Sequence, residues 1–200
     1  MDSPTRLWWC PTGPFTFLPI HAAGIYNAAG AESVSDYVVS SYTPSLKSLL
    51  GDQPPLTDKF KLMVVIQPDI PNGNPLPCTE EELQRISKHV PNDFLLRLGI
   101  ENVPAIVQAV LSHLRNTNVV HFACHGIQDV MAPLESGLIL HDGHRLTVNE
   151  IMKQPTPSAS LAFLSACETA VGTENLPDEA MHLAASLQFA GFRSVVATMW

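Results

Sequence analysis

Two side chains that can act together as a nucleophile and its base stand at matching points of this sequence, His125 and Cys167. His125 follows the apolar run 119–124, and Cys167 follows the apolar run 161–166. An imidazole can take the proton of a neighbouring thiol and later protonate a leaving amine. If the two runs are neighbouring strands, this placement predicts a catalytic His125/Cys167 dyad. Buried cysteines and hydrogen-bonded histidines are also common structural residues, so spacing alone leaves both interpretations open.

The residues beside His125 fit the same chemistry. Gly126 has no side chain to obstruct an incoming carbonyl, so we expect the backbone N–H groups of Gly126 and Cys167 to form an oxyanion hole. Side chains alternate between the two faces of a strand, which places Cys124 opposite His121 and His125. We therefore predict that Cys124 packs in the core and takes no part in the reaction.

Strand and helix signals alternate along the chain and can position such a dyad. The apolar runs 62–66, 94–98, 119–124 and 161–166 predict strands, while helical patterns cover 79–89, 106–114 and 177–190. Capping boxes are predicted at Thr79 with Glu82 and at Thr147 with Glu150. Strands separated by helices pair in parallel through crossovers, so we predict a doubly wound, mostly parallel α/β sheet with helices on both faces. The site of such a sheet lies beyond the carboxyl ends of its strands.

The composition describes one packed domain. The 200 residues are 46% hydrophobic and 15% charged, which predicts a single domain over 1–200 and excludes a disordered chain. The four cysteines are too few for a disulfide scaffold. No apolar stretch reaches the roughly 18 residues of a transmembrane helix, and the first residues lack signal-peptide character. We therefore expect a cytoplasmic protein.

The charge balance and the donor pattern exclude several ligands. The formal net charge of −8 opposes binding to nucleic acid or to an anionic membrane, so neither is an expected partner. His141 and His144 flank a predicted turn, and the sequence has no Cys-x2-Cys pair. We predict no metal site and no cofactor.

Two motifs give the sequence a family resemblance. Residues 121–126 (His-Phe-Ala-Cys-His-Gly) and 164–170 (Leu-Ser-Ala-Cys-Glu-Thr-Ala) resemble the two signature blocks of the CHAT domain, a caspase-like domain often found after tetratricopeptide repeats. Residues 9–14, 18–24 and 176–184 also resemble this family. The resemblance implies a caspase/separase-like α/β fold and assigns the dyad to His125 and Cys167. Family members continue beyond the strand at 197–200, so it also implies a domain that is incomplete after Trp200.

The resemblance leads to two functional hypotheses. The first is a cysteine endopeptidase that cleaves a protein or peptide substrate, as part of a larger signalling protein that contains tetratricopeptide repeats. The alternative is a catalytically inactive CHAT-type module for interaction or scaffolding. The presence of His125, Gly126 and Cys167 together favours the first hypothesis.

A substrate pocket is expected beside Cys167. In related metacaspases, which cut after Arg or Lys, an aspartate two residues before the catalytic cysteine helps form an acidic pocket. Ser165 takes that place here, and a hydroxyl cannot neutralise a buried guanidinium. Glu168 and Asp178, with Glu174, are the nearest carboxylates in the sequence. We therefore predict a weakly basic or uncharged preference, with Ser165, Glu168 and Asp178 as the candidate pocket residues. Asp178 also falls in the first turn of a predicted helix, where capping is the more common role of a carboxylate.

Overall fold

The computed structural model describes residues 4–27, 30–50, 60–69, 74–129, 131–166 and 183–197. These residues form two compact units, one within 4–50 and one within 60–197. Each unit has its own strands and its own hydrogen-bonded sheets. The expectation of one domain over 1–200, incomplete after Trp200, stays a prediction.

The first unit consists of short strands and single helical turns. Its strands and its α-helix, in chain order, are β1 (Thr5–Trp9), β2 (Gly24–Asn27), β3 (Gly30–Ser33), β4 (Val38–Tyr42) and α1 (Leu46–Leu49). β1 pairs with β4 in parallel, and β2 pairs with β3 antiparallel. His21 is held inside this unit because its Nδ1 lies 2.8 Å from the Tyr42 hydroxyl.

The second unit carries the predicted α/β pattern. Its strands are β5 (Leu62–Ile66), β6 (Leu95–Leu98), β7 (Val119–Ala123), β8 (His125–Ile127), β9 (Gly137–Ile139), β10 (Arg145–Thr147), β11 (Leu161–Ser165) and β12 (Ser194–Ala197). Its helices are α2 (Cys78–Ser87), α3 (Val107–Leu114), α4 (Val148–Met152) and α5 (Leu183–Ala190). Four of these strands, β5, β6, β7 and β11, confirm the strands predicted from the apolar runs.

Five strands form one parallel sheet in the order β6-β5-β7-β11-β12. Counted in chain order, this arrangement is 2-1-3-4-5, so the direction of winding reverses between β5 and β7. In open α/β sheets the crevice for a ligand opens at such a reversal, beyond the carboxyl ends of the strands. β8, β9 and β10 form a separate antiparallel sheet.

Both faces of the parallel sheet are covered, which is why β5 is buried along its whole length. On one face α2 contributes Leu83 to a cluster with Val64 of β5 and Ala123 of β7. On the opposite face α3, α4 and α5 pack against Phe122 and its neighbours in a larger cluster. The structure therefore confirms a mostly parallel α/β fold with helices on both faces.

The two predicted capping boxes have different outcomes. The box at α4 is confirmed, because the Glu150 N–H donates to Thr147 Oγ1 and the Thr147 N–H donates to the Glu150 carboxylate at 2.9 Å. The box at α2 is wrong. The helix begins at Cys78, Thr79 Oγ1 donates to the Leu76 carbonyl at 2.8 Å, and the Glu82 carboxylate turns toward the sheet. Partners in the sheet displace the local contact that the spacing predicted.

Asn118 closes the amino end of the sheet. This residue directly precedes β7 and is only 9% exposed. Its Oδ1 accepts a hydrogen bond from the Lys61 N–H at 2.8 Å, and its Nδ2 donates to the Ser158 carbonyl at 3.0 Å. Its backbone carbonyl accepts from the Ser160 N–H at 2.8 Å. Asn118 thereby joins the chain segments that lead into β5, β7 and β11.

Candidate functional site

His125 stands at the carboxyl end of β7, where the chain leaves the parallel sheet. β7 ends at Ala123, Cys124 forms a bend, and His125 begins β8 in the small antiparallel sheet. The parallel strand is thus one residue shorter than predicted. The bend holds His125 beyond the strand end, which is where the sheet topology places a site.

The ring of His125 is oriented by a backbone carbonyl from a distant part of the chain. Its Nε2 lies 2.7 Å from the carbonyl oxygen of Asn74. A carbonyl only accepts hydrogen bonds, so Nε2 carries the proton and the neutral ring keeps its lone pair on Nδ1. Asn74 belongs to the connection after β5, so this bond spans the place where the sheet order reverses. His125 is therefore oriented to accept a proton at Nδ1.

The strands before the two predicted dyad residues are neighbours. β7 and β11 pair in parallel, and Ala123 stands opposite Ser165 at their carboxyl ends. This pairing confirms the condition on which the sequence argument depended. Cys167, Glu168 and Asp178 lie outside the described residues, so the approach of Cys167 to His125 and the roles of the two carboxylates stay predictions.

Gly126 occupies the middle of β8, opposite Leu138 of β9. Its position directly after His125 places its peptide group near the end of β7. The oxyanion-hole role of Gly126 and Cys167 stays a prediction, since it depends on both peptide groups.

A carboxylate from α2 reaches the carboxyl end of the sheet. Glu82 Oε2 accepts a hydrogen bond from His121 Nε2 at 2.7 Å, and Glu82 Oε1 accepts from the Ser165 hydroxyl at 3.0 Å. The side chain of His121 is 12% exposed and that of Glu82 is 34% exposed. The His121 ring stacks on Phe163, its cross-strand partner, with 5.1 Å between ring centroids. Glu82 thus joins α2, β7 and β11 at one point.

Sequence reasoning missed this role of Glu82, which it assigned to a capping box with Thr79. A signal for it does exist in the strands. His121 and Ser165 are polar residues in otherwise apolar runs of a sheet that is covered on both faces. Polar groups in such places need hydrogen-bond partners, and the crossover helix packed on that face is the nearest source of one.

Cys124 is a core residue. It is 1% exposed and packs in the larger apolar cluster, on the face opposite His121. Burial raises the pKa of the Cys124 thiol to about 12, so the thiol stays protonated near neutral pH. The predicted packing role is confirmed. The other two described cysteines, Cys10 and Cys78, are exposed.

Among the described residues, no three His, Cys, Asp or Glu side chains are grouped so that they can hold a metal ion. No helix in the described ranges has the length and apolar character needed to cross a membrane.

Comparison with known proteins agrees with the fold and with the motifs. No curated protein matches this sequence. The CHAT domain matches it over residues 1–200, which is the whole chain. The five-stranded parallel sheet with helices on both faces is consistent with the caspase-like α/β fold of that family. The chain therefore belongs to the CHAT domain family.

Proposed function

We propose that this CHAT domain is a cysteine endopeptidase in which His125 is the base and Cys167 is the nucleophile. The observation that carries the proposal is the bond from His125 Nε2 to the Asn74 carbonyl at 2.7 Å. This bond orients the imidazole at the end of β7 and leaves Nδ1 as the proton acceptor.

The pairing of β7 with β11 supports the partnership with Cys167. Ser165 stands level with Ala123, and each predicted dyad residue follows its own strand by two positions. Two extended residues span at most about 7 Å, and neighbouring strands lie about 4.8 Å apart. These limits are compatible with the contact that we propose, a hydrogen bond between the Cys167 thiol and the imidazole. Catalytic contacts in unliganded enzymes are often loose and tighten with substrate.

The chemistry then follows the usual course for a thiol nucleophile. His125 Nδ1 takes the proton of the Cys167 thiol, and the thiolate attacks the carbonyl carbon of the scissile peptide. The backbone N–H groups of Gly126 and Cys167 stabilise the oxyanion. The imidazolium protonates the leaving amine as the C–N bond breaks, which leaves a thioester. Water, deprotonated by His125, attacks the thioester, and release of the acid restores the thiol.

The substrate is a protein or peptide held beside the nucleophile. Ser165 ends β11 at this place, and Glu168 and Asp178 complete the proposed pocket. Because the side chain at 165 is a hydroxyl, we propose a weakly basic or uncharged residue before the scissile bond. The reaction needs no cofactor. We further propose that the domain acts in the cytoplasm, beside tetratricopeptide repeats of a longer protein.

A second candidate function is an inactive interaction module. The observation that favours it is an apolar hollow of about 460 Å³ in the first unit. The hollow is lined by apolar side chains that include Trp9, Phe15 and Leu18, and Phe15 is largely exposed. Such surfaces often bind other proteins. The reactivity of the Cys167 thiol distinguishes this candidate function from the peptidase.

The test is labelling with a peptide acyloxymethyl ketone, with mass spectrometry of each cysteine. We expect Cys167 to react selectively and faster than the exposed Cys10 and Cys78, which are internal references. His125→Gln is expected to abolish this selectivity, whereas His89→Gln, at an exposed histidine, preserves it. Equal labelling of Cys167 in the wild type and in His125→Gln contradicts the peptidase and favours the interaction module.

A further inference from the structure

Glu82 joins two strands that carry the proposed dyad. Its two carboxylate oxygens accept hydrogen bonds from His121 of β7 at 2.7 Å and from Ser165 of β11 at 3.0 Å. His121 comes four residues before His125, and Ser165 comes two residues before Cys167. The carboxylate therefore fixes each strand within a few residues of a reacting group.

The two hydrogen bonds that the Glu82 carboxylate accepts are of a strong type. An ionised carboxylate only accepts hydrogen bonds, and bonds to it are shorter and stronger than those between neutral groups. The stacking of His121 on Phe163, with planes 16° apart, adds a second contact between β7 and β11 on the same face. These side-chain contacts join α2 to both strands. They hold the carboxyl ends of β7 and β11 in place in addition to the backbone hydrogen bonds between the two strands.

The position of these contacts matters more than their number. Sliding or splaying β11 relative to β7 changes the distance between groups that follow the two strands. A misplacement of about 1 Å can lower a catalytic rate by about 100-fold. We propose that Glu82 is a positioning residue that keeps the ends of β7 and β11, and with them His125 and Cys167, in reactive alignment. This inference rests on the proposed peptidase function.

The structure offers closely matched variants for a test. Glu82→Ala removes both acceptors, while Glu82→Gln keeps the shape and can still accept from Ser165 and donate to a His121 nitrogen. Glu81→Ala is the control. Glu81 lies on the same helix and pairs with Arg85 at 2.7 Å, with both side chains more than half exposed. An exposed pair of this type contributes little to stability or geometry.

Steady-state cleavage of a peptide is measured well below the unfolding midpoint of each variant. We expect Glu82→Ala to lower kcat by about 10- to 100-fold with KM nearly unchanged. Glu82→Gln should recover part of that loss, and Glu81→Ala should match the wild type. A Glu82→Ala variant with a lower unfolding midpoint and a wild-type kcat overturns the proposal, since the residue is then only structural. A raised KM with unchanged kcat also overturns it, because the residue then acts in substrate binding.

A second measurement does not depend on substrate or on the Glu82→Ala variant. Alkylation of Cys167 by iodoacetamide is followed against pH by mass spectrometry in the wild type, in Glu82→Gln and in Ser165→Ala, and His125→Gln serves as the reference for dependence on the imidazole. We expect His125-dependent alkylation in the wild type and a slower rate at neutral pH in Ser165→Ala, which keeps the His121 bond but frees β11. Identical pH profiles in all three proteins overturn the role of Glu82. If the wild type itself shows no dependence on His125, the proposed peptidase function fails, and this result is distinct from the failure of Glu82 alone.

Discussion

The two ends of the parallel sheet are held together by side chains of different chemistry. At the amino end Asn118, a neutral amide that is 9% exposed, joins the segments leading into β5, β7 and β11. At the carboxyl end Glu82, whose side chain is 34% exposed, joins β7 and β11 to α2. Both are non-local contacts that bridge the same pair of strands.

The difference between the two ends has a physical reason. An amide carries no charge at any pH, so it can be buried when its donors and acceptors are paired. A carboxylate is costly to bury unless it is paired and hydrogen-bonded, and Glu82 keeps part of its surface in solvent. The amino end, where no reaction is proposed, is therefore joined by a neutral, buried side chain. The carboxyl end, where His125 lies, is joined by ionisable side chains that remain partly accessible to solvent.

The largest expected effect is on activity at the carboxyl end. Cys167→Ala is expected to abolish peptide cleavage, and His125→Ala should lower it by at least about 1000-fold, since the two residues act as one unit. The free energy of unfolding of His125→Ala should change by about 1 kcal/mol, the usual value of one hydrogen bond such as that to Asn74. Cleavage of a peptide library and urea unfolding check both values. Cleavage that persists in both variants contradicts the assignment.

At the amino end of the sheet, a substitution should lower stability and leave activity unchanged. Asn118→Ala leaves the Lys61 N–H and the Ser158 carbonyl without their side-chain partner, so we expect a loss of about 2 to 4 kcal/mol in the free energy of unfolding. The kcat of the folded fraction should stay at the wild-type value. Asn116→Ala, at an exposed position two residues earlier, is the control and should change stability by less than about 0.5 kcal/mol. A large fall in kcat for Asn118→Ala would remove the distinction between the two ends.

Cys124 tests the burial of a thiol next to His125. Its pKa rises from 9.0 to about 12 on folding, because burial disfavours the thiolate. Between these two values the unfolded chain loses the proton while the folded chain keeps it, so stability falls as pH rises, by about 1.4 kcal/mol per pH unit. Urea unfolding above pH 9 should approach this slope in the wild type and show a shallower one in Cys124→Ala, whereas the two proteins should have similar slopes at pH 8. Parallel slopes in the two proteins would contradict the burial argument.

The smallest expected effect is that of Ser165→Ala on stability. The variant removes one of the two hydrogen bonds to Glu82, and water can reach the vacated oxygen because this carboxylate is partly exposed. We expect a loss of about 1 kcal/mol in the free energy of unfolding, less than for Asn118→Ala. Urea unfolding of both variants under one condition makes the comparison. A loss for Ser165→Ala that equals or exceeds the loss for Asn118→Ala would show that the contacts at the carboxyl end contribute as much to stability as those at the amino end.

The sequence by itself determined the local elements and the residues able to react. The apolar runs at 62–66 and 161–166 became β5 and β11, because short β-branched and apolar stretches between turn signals fit buried strands. The capping box at Thr147 formed, since both of its partners lie within one helical turn. The motif around His125 also pointed to the CHAT domain family, to which the chain belongs.

Only the tertiary structure decided the strand order and the hydrogen-bond partners of His125, His121 and Ser165. The acceptor for His125 lies 51 positions away in the chain, and Glu82 is 39 positions from His121 and 83 from Ser165. A local sequence pattern indicates that a buried polar group needs a hydrogen-bond partner, but it does not identify that partner among the many groups that are distant in the sequence. That choice follows from which helix covers which face of the sheet. For this reason the spacing of Thr79 and Glu82 predicted a helix cap, whereas the folded chain uses Glu82 to join β7 and β11.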